Sequence, residues 1–210
     1  MAIRAVVFDI GGVLEVTPDP QMREFNVRWE TRFGLQPGEL DERMARMEHL
    51  WQAGALGECT EADVERGLRE IVGLTQEEAD AYVAGMWKEY VGTLNVELTE
   101  YFRGLRPRYL TGIISNSFVG AREREEALYH FSELADPIIY SHEVGIAKPD
   151  PRIYTLTCER TGVRPAEMLF LDDAERCVEG ARALGIHGVL FQDNAQAIAE
   201  IEALLLEHAS

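Results

Sequence analysis

Six side chains in four short clusters carry the chemistry this sequence could do: Asp9, Ser115 with Asn116, Lys148, and Asp172 with Asp173. Asp9 closes the run Ile3-Arg-Ala-Val-Val-Phe and is followed by Ile10 and the paired glycines Gly11 and Gly12. Ser115-Asn116 closes Gly112-Ile-Ile, and Asp172-Asp173 closes Met168-Leu-Phe-Leu. Lys148 stands in Gly145-Ile-Ala-Lys-Pro-Asp-Pro151, where two prolines and a glycine restrict the backbone. Singly, each cluster has an ordinary reading: a turn aspartate, a helix-capping serine, a solvated loop lysine. Ser115 has no histidine nearby in sequence, so a serine-hydrolase triad has little support. Jointly, the clusters would bring three carboxylates, a hydroxyl, an amide and an ammonium to neighbouring strand ends. Adjacent acids such as Asp172-Asp173 repel one another unless a cation lies beside them.

The elements that must position these groups can be read from periodicity. Ile3–Phe8, rich in Val and Ile and bounded by glycine, suits a central strand of a parallel sheet, buried on both faces. Further strands are expected at Tyr109–Ser115, Pro137–Tyr140, Met168–Asp172 and Gly188–Phe191. Helices are expected at Glu97–Leu105, Phe118–Leu134, Pro151–Thr161, Ala174–Leu184 and Asn194–Glu207. Five strands alternating with helices predict an α/β doubly wound parallel sheet with right-handed crossovers, whose ligands bind at the carboxyl ends of the strands. Between the first two strands the pattern changes. Pro18 and Pro20 suggest a loop leaving the sheet, and from Gln21 to about Val91 apolar residues recur at helical spacing. Breaks at Gly34–Gly38, Gly54–Cys59 and Val72–Leu74 divide this stretch into four helices. Thr60-Glu-Ala-Asp63 and Thr75-Gln-Glu-Glu78 read as capping sequences that open the third and fourth. Trp29, Trp51 and Trp87 read as the core of that bundle. The expected division is residues 1–15 and 96–210 for the sheet domain and 16–95 for the helical insert.

Composition limits the function. The chain has 210 residues, enough for a substantial core, and no apolar run of the ~20 residues that a membrane helix requires. Without a secretory signal pattern before Asp9, a cytoplasmic location is the expectation. Cys59, Cys158 and Cys177 form no Cys-x-x-Cys pair, and the five histidines show no metal-ligand spacing, so neither a disulfide framework nor a zinc site is indicated. A net charge of −17 disfavours nucleic acid and anionic membranes as partners. It leaves room for one phosphorylated small molecule held by a local cation and a metal, because distant charges are screened beyond ~8 Å. A monomer or a homodimer is compatible with the sequence.

The order Phe-Asp-Ile-Gly-Gly-Val-Leu, Ile-Ile-Ser-Asn, Gly-Ile-Ala-Lys-Pro-Asp, Phe-Leu-Asp-Asp, with a helical insert after the first motif, resembles the haloacid dehalogenase (HAD) superfamily of hydrolases over nearly the whole chain. The resemblance implies a Rossmann-like core with an inserted four-helix cap of the kind found in phosphoglycolate phosphatase and haloacid dehalogenase. It implies Asp9 as the nucleophile that accepts a phosphoryl group, with Ile10, Gly11, Ser115, Asn116 and Lys148 around the phosphate. Asp9, the Gly11 carbonyl, Asp172 and Asp173 would hold Mg2+, a hard cation suited to oxygen ligands. The implied activity is a Mg-dependent phosphatase acting on a small phosphorylated metabolite. One departure from the pattern stands out: most phosphatases of this superfamily carry an aspartate two residues after the nucleophile as general acid and base, and here that residue is Gly11. Sugar 1-phosphates or acyl phosphates, whose leaving groups need little protonation, are therefore the expected substrates. Glu15 could supply the missing proton, although a loop-stabilising or exposed glutamate is the plainer reading. The alternatives are a metal-independent 2-haloacid dehalogenase and a catalytically weak binding protein. Specificity is expected where the insert meets the sheet domain, around Trp51, Gln52 and Gly54-Ala-Leu-Gly57.

Overall fold

The computed structural model describes residues 1–16 and 22–209. The predicted loop containing Pro18 and Pro20, and the predicted helix start at Gln21, lie outside the described residues. The chain runs β1 (Ala5–Phe8), β2 (Glu15–Val16), α1 (Met22–Phe33), α2 (Glu39–Ala45), α3 (Glu48–Ala55), α4 (Glu61–Gly67), α5 (Gln76–Tyr90), β3 (Thr93–Leu94) and α6 (Val96–Leu105). It continues through β4 (Leu110–Ser115), α7 (Ala121–Tyr129), β5 (Ile138–Tyr140), α8 (Ser141–Val144), α9 (Pro151–Thr161), β6 (Met168–Asp172), α10 (Glu175–Arg182), β7 (His187–Leu190) and α11 (Asn194–Glu207).

The main sheet has five strands in the order β5-β4-β1-β6-β7, each pair parallel, as expected for a doubly wound α/β protein. Alternate residues of the buried strands serve opposite faces. Val6 and Phe8, with Ile113, Leu169 and Leu171, meet α6 and α11 in one core, where the Phe8 and Phe102 rings stack with centroids 4.3 Å apart. Ala5 and Val7, with Ile114 and Phe170, meet α9 and α10 in the other. Because β1 sits at the centre with helices on both faces, its polar continuation, Asp9, emerges only past the strand end.

The helical insert has its own core of Phe25, Trp29, Leu40, Met44, Met47, Val64, Leu68 and Tyr82. Both expected capping boxes are present: Asp63 N–H donates to Thr60 Oγ1 at 3.3 Å and Glu78 N–H to Thr75 Oγ1 at 3.2 Å, with the acid side chains accepting from the cap N–H groups. The second helical segment is divided. At Arg46 and Met47 the backbone takes i→i−3 hydrogen bonds to Arg43 and Met44, and this tighter turn seats both Met44 and Met47 in the core. The third segment ends in one π-helical turn, Leu68–Val72. Phe118–Leu134, expected as one helix, is instead α7 followed by a 3-10 turn at Phe131–Glu133, the two separated by His130 in the left-handed region at φ 53°. Trp29 and Trp87 are buried, whereas Trp51 is only half-buried, against Phe118 of the sheet domain with ring centroids 5.7 Å apart.

The two chain segments that connect insert and sheet domain pair with each other. β2 and β3 form a short antiparallel ribbon, Glu15 opposite Leu94 and Val16 opposite Thr93. Contact between the two parts is close where α3 ends. Val119 N–H donates to the Gly54 carbonyl at 3.1 Å and Ser141 Oγ to the Ala55 carbonyl at 2.8 Å. Gly57, at φ 71°, lies so near the His142 carbonyl that a Cβ would sit 1.8 Å from its oxygen, so only glycine fits there.

Candidate active site

Each of the four clusters is delivered by the end of a strand or the loop after it. Asp9 follows β1, with its N–H bonded to the Leu171 carbonyl of β6 at 2.9 Å. The chain then folds back at once, since Leu14 and Glu15 both donate to the Ile10 carbonyl, at 2.8 and 2.9 Å, and Gly12 N–H donates to the Glu15 carbonyl at 2.8 Å. Gly12, at φ 76°, allows this turn and also admits Asp173, whose Oδ2 would lie 2.3 Å from a Cβ placed there. Gly11 differs: a Cβ there would meet nothing within 4 Å.

Lys148 is the hub. Its ammonium lies 2.7 Å from Asp9 Oδ1 and 2.6 Å from Asp172 Oδ2, and it donates to the Ile114 carbonyl at 3.0 Å, with only 3% of the residue exposed. The loop carrying it is clamped by Asn116, whose Nδ2 donates to the Lys148 carbonyl at 2.9 Å while its Oδ1 accepts the Lys148 N–H at 2.7 Å. That commits the Asn116 side chain to positioning Lys148 and leaves its main-chain N–H for an anion. Asp172 is fully buried, with Oδ1 accepting from Ala174 N–H at 2.8 Å. Ser115, also buried, ends β4 beside β1. The six side chains of the four clusters therefore lie at the carboxyl ends of β1, β4 and β6 or in the loop between α8 and α9.

The electrostatics of this arrangement leave an excess of negative charge. Oxygens of Asp9, Asp172 and Asp173 lie within 4.8 Å of one another. Burial pushes Asp9 up to about 7, with Asp172 adding to the shift and the Lys148 ammonium opposing it. Burial alone would lower Lys148, but the facing Asp9 and Asp172 carboxylates raise it. Asp173 is raised by burial and by Asp172. Three carboxylates face one ammonium, so the cluster has the charge and the hard oxygen donors to hold a divalent cation. Asp9 Oδ1 accepts from both Ile10 N–H, at 2.7 Å, and Lys148, which leaves Oδ2 with lone pairs for attack or for coordination.

Glu15 departs from its plainer reading. Its backbone does stabilise the loop, but the residue is 2% exposed, its Oε1 has no hydrogen-bond partner, and its carboxyl is pushed up to about 9 by burial, by Glu125 and by Asp9. The chain folds back through Ile10, which carries Glu15 inward. Glu125 escaped sequence reasoning. It sits in the charged run Arg122-Glu-Arg-Glu-Glu126, where nothing separates the one inward-facing acid from its solvated neighbours. In the structure it is 1% exposed, accepts from the Tyr140 hydroxyl at 2.5 Å and is pushed up to about 7 by burial. Among the histidines, His142 is tied to Ser117 Oγ at 2.6 Å and lies at the seam between insert and sheet domain.

A protein-family model for haloacid dehalogenase-like hydrolases matches residues 3–185, and the chain belongs to that family of hydrolases. Among curated relatives, acyl-CoA dehydrogenase family member 10 of Mus musculus is 31% identical over 96% of this chain, which spans only 19% of that protein's length. D-ribitol-5-phosphate phosphatase of Bacteroides thetaiotaomicron is 24% identical over 97% of this chain and 98% of its own. Among solved structures, a magnesium complex of a HAD family enzyme from Bacteroides thetaiotaomicron superposes with a TM-score of 0.75 at 20% identity, covering 91% of this chain and 94% of that one, and shares the fold. Among the described residues, no helix is long and apolar enough to cross a membrane.

Proposed function

We propose that this hydrolase is a Mg-dependent phosphatase acting on a small phosphorylated metabolite through an aspartyl-phosphate on Asp9. The observation that carries the reading is the buried Lys148 bridging Asp9 and Asp172, with Asp173 completing a cluster of carboxylate oxygens at the strand ends. A phosphatase relative of matching length supports it. Mg2+, held by Asp9, Asp172, Asp173 and the Gly11 carbonyl, would screen the attacking carboxylate from the anionic phosphoryl group. Asp9 Oδ2 attacks phosphorus as the bond to the leaving oxygen breaks, while Lys148 and the Ser115 hydroxyl, with the N–H groups of Ile10, Gly11 and Asn116 beside them, stabilise the charge on the transferred oxygens. Water then attacks the phosphorus of the aspartyl-phosphate, releasing inorganic phosphate and restoring Asp9.

With Gly11 in place of an acid, the reading extends to substrates whose leaving group needs little protonation, such as sugar 1-phosphates or acyl phosphates. Residues 16–95 serve as the cap, and the packing of Trp51 against Phe118 at the seam supports a role for it in reading the substrate. A screen of phosphorylated metabolites with Mg2+ and with EDTA tests the proposal: turnover should require the metal and vanish in Asp9→Asn. Turnover of 2-chloropropionate that survives EDTA would replace it with the dehalogenase reading. Phosphatase turnover unchanged in Asp9→Asn would replace it with the binding-protein reading. Equal rates across aryl phosphates of differing leaving-group pKa would remove the substrate preference.

A further inference from the structure

The amino ends of the strands, opposite the Asp9 cluster, carry a second concentration of charge, and its sign is reversed. Two cavities open there, of about 610 and about 370 Å³, and Arg106 lines both. Arg122 and Arg160 line the larger, Arg4 and Arg108 the smaller. Four of the five come together because the Arg106-Pro-Arg108 turn between α6 and β4, the residues before β1 and the last turn of α9 all end on this side of the sheet, while Arg122 reaches the larger cavity from the first turn of α7, along the β5 edge. The single acid in the lining is Asp136.

Pairing inside the cavities is incomplete. Arg122 is fixed by Glu143, with Nη2 2.8 Å from Oε2, and by the Ile138 carbonyl, while Arg4 is 3.9 Å from Glu167. Arg106 donates to the Glu133 carbonyl but has no carboxylate partner, and neither Arg108 nor Arg160 has one among the described residues. Arg108 instead lies over the Tyr109 ring, 5.6 Å from its centroid. In a chain of net charge −17, three guanidiniums without a carboxylate partner among the described residues, joined across two hollows that share Arg106, form a local cationic site whose planar N–H forks suit phosphate oxygens. The remaining acids are screened over ~8 Å at physiological ionic strength.

We propose that this face binds an oligophosphate chain, with Arg106 at the join of the two cavities and Arg160 and Arg108 on either side. The site is separate from the Asp9 cluster by the length of the four-residue β1, about 13 Å at ~3.3 Å per residue. The ligand is either inorganic oligophosphate or a nucleoside di- or triphosphate, the latter with its base against Tyr109.

Calorimetry on the full chain with Asp9→Asn and EDTA, so that the catalytic cluster is silent, tests this with tripolyphosphate and ATP at constant ionic strength. One equivalent should bind in each case, at least ~10-fold more weakly in Arg106→Gln and in Arg160→Gln. Arg160 is exposed on the last turn of α9, so its variant should read binding alone and keep wild-type turnover in the otherwise unaltered enzyme. Tyr109→Leu should weaken ATP more than tripolyphosphate if the nucleotide is the ligand, and both equally if the chain of phosphates is all that is read. Binding no tighter than orthophosphate, binding indifferent to both arginine variants, or binding present in the wild type and lost in Asp9→Asn would each overturn the proposal.

Discussion

Lys148 does two jobs that pull against each other when it is removed. It pairs with Asp9 and Asp172, and in the proposed mechanism it would donate to a transferred phosphoryl oxygen. Lys148→Met should therefore lower phosphatase turnover by about 10²–10³-fold. It should also destabilise the apo protein by on the order of 3–5 kcal/mol, because two buried carboxylates lose their cation. Divalent cation should recover part of that loss, so thermal melts with Mg2+ and with EDTA will diverge more in the variant than in the wild type; equal divergence would mean that the cluster does not hold the metal. Gly11 offers the opposite experiment. A Cβ there meets open space and the glycine does not use a left-handed backbone, so Gly11→Asp can be built without strain. Placing a carboxyl where most relatives have their general acid should raise turnover on phosphates of poorly leaving alcohols by about 10-fold or more, while changing acyl phosphate hydrolysis little. Steady-state rates on the two substrate classes decide it.

At the scale of elements, legibility followed the strength of the local signal. Met168–Asp172, Pro151–Thr161 and Asn194–Glu207 were readable to the residue, because an uninterrupted apolar run, an Asp-Pro helix start and an Asp193 cap leave little freedom. The candidate clusters at Asp9, Ser115-Asn116 and Asp172-Asp173 were legible for the same reason, since each is punctuated by the end of such an element, and Lys148 by the prolines and glycine around it. Elements whose boundaries are set by packing were not. The division at Arg46–Met47 and the left-handed His130 have no glycine or proline to announce them, and β2 and β3 are two residues long and exist only because distant linkers meet. The capping boxes permit a quantitative check. Thr75 opens the longest helix of the insert among the described residues, and Thr75→Ala removes its bond to Glu78 N–H and the hydroxyl that holds the Glu78 carboxylate over the cap. The cost should be about 1 kcal/mol, measured by urea unfolding, with turnover on a saturating substrate unchanged. A transition that splits into two phases, with only the first shifted, would show that the insert and the sheet unfold as separate units.

For the whole molecule, the two buried acids beneath the linker ribbon tie stability to pH. Glu15 lies on β2, where the chain leaves the sheet domain, and Glu125 lies on α7 of that domain with the Tyr140 hydroxyl on its Oε2. Neither Oε1 has a partner, so each carboxyl is better accommodated neutral than charged. Burial raises Glu125 from 4.5 to about 7, and burial, Glu125 and Asp9 raise Glu15 from 4.5 to about 9. The unfolded chain releases these protons near 4.5 and the folded chain only near 7 and 9, so between those values the folded state binds more protons. Stability contributed by the pair is then full below about 4.5, falls as pH rises, and is lost above about 9. This runs opposite to the usual acid denaturation of salt-bridged carboxylates. Glu125→Gln keeps the acceptor for Tyr140 and cannot ionise. It should leave the melting temperature at pH 5 nearly unchanged and raise it at pH 8, by on the order of 1–3 kcal/mol of stability or ~3–8 °C. A constant offset between variant and wild type across pH 5 to 9 would show instead that Glu125 keeps the same charge in both states, and that the linker ribbon rests on a fixed ion rather than on a proton.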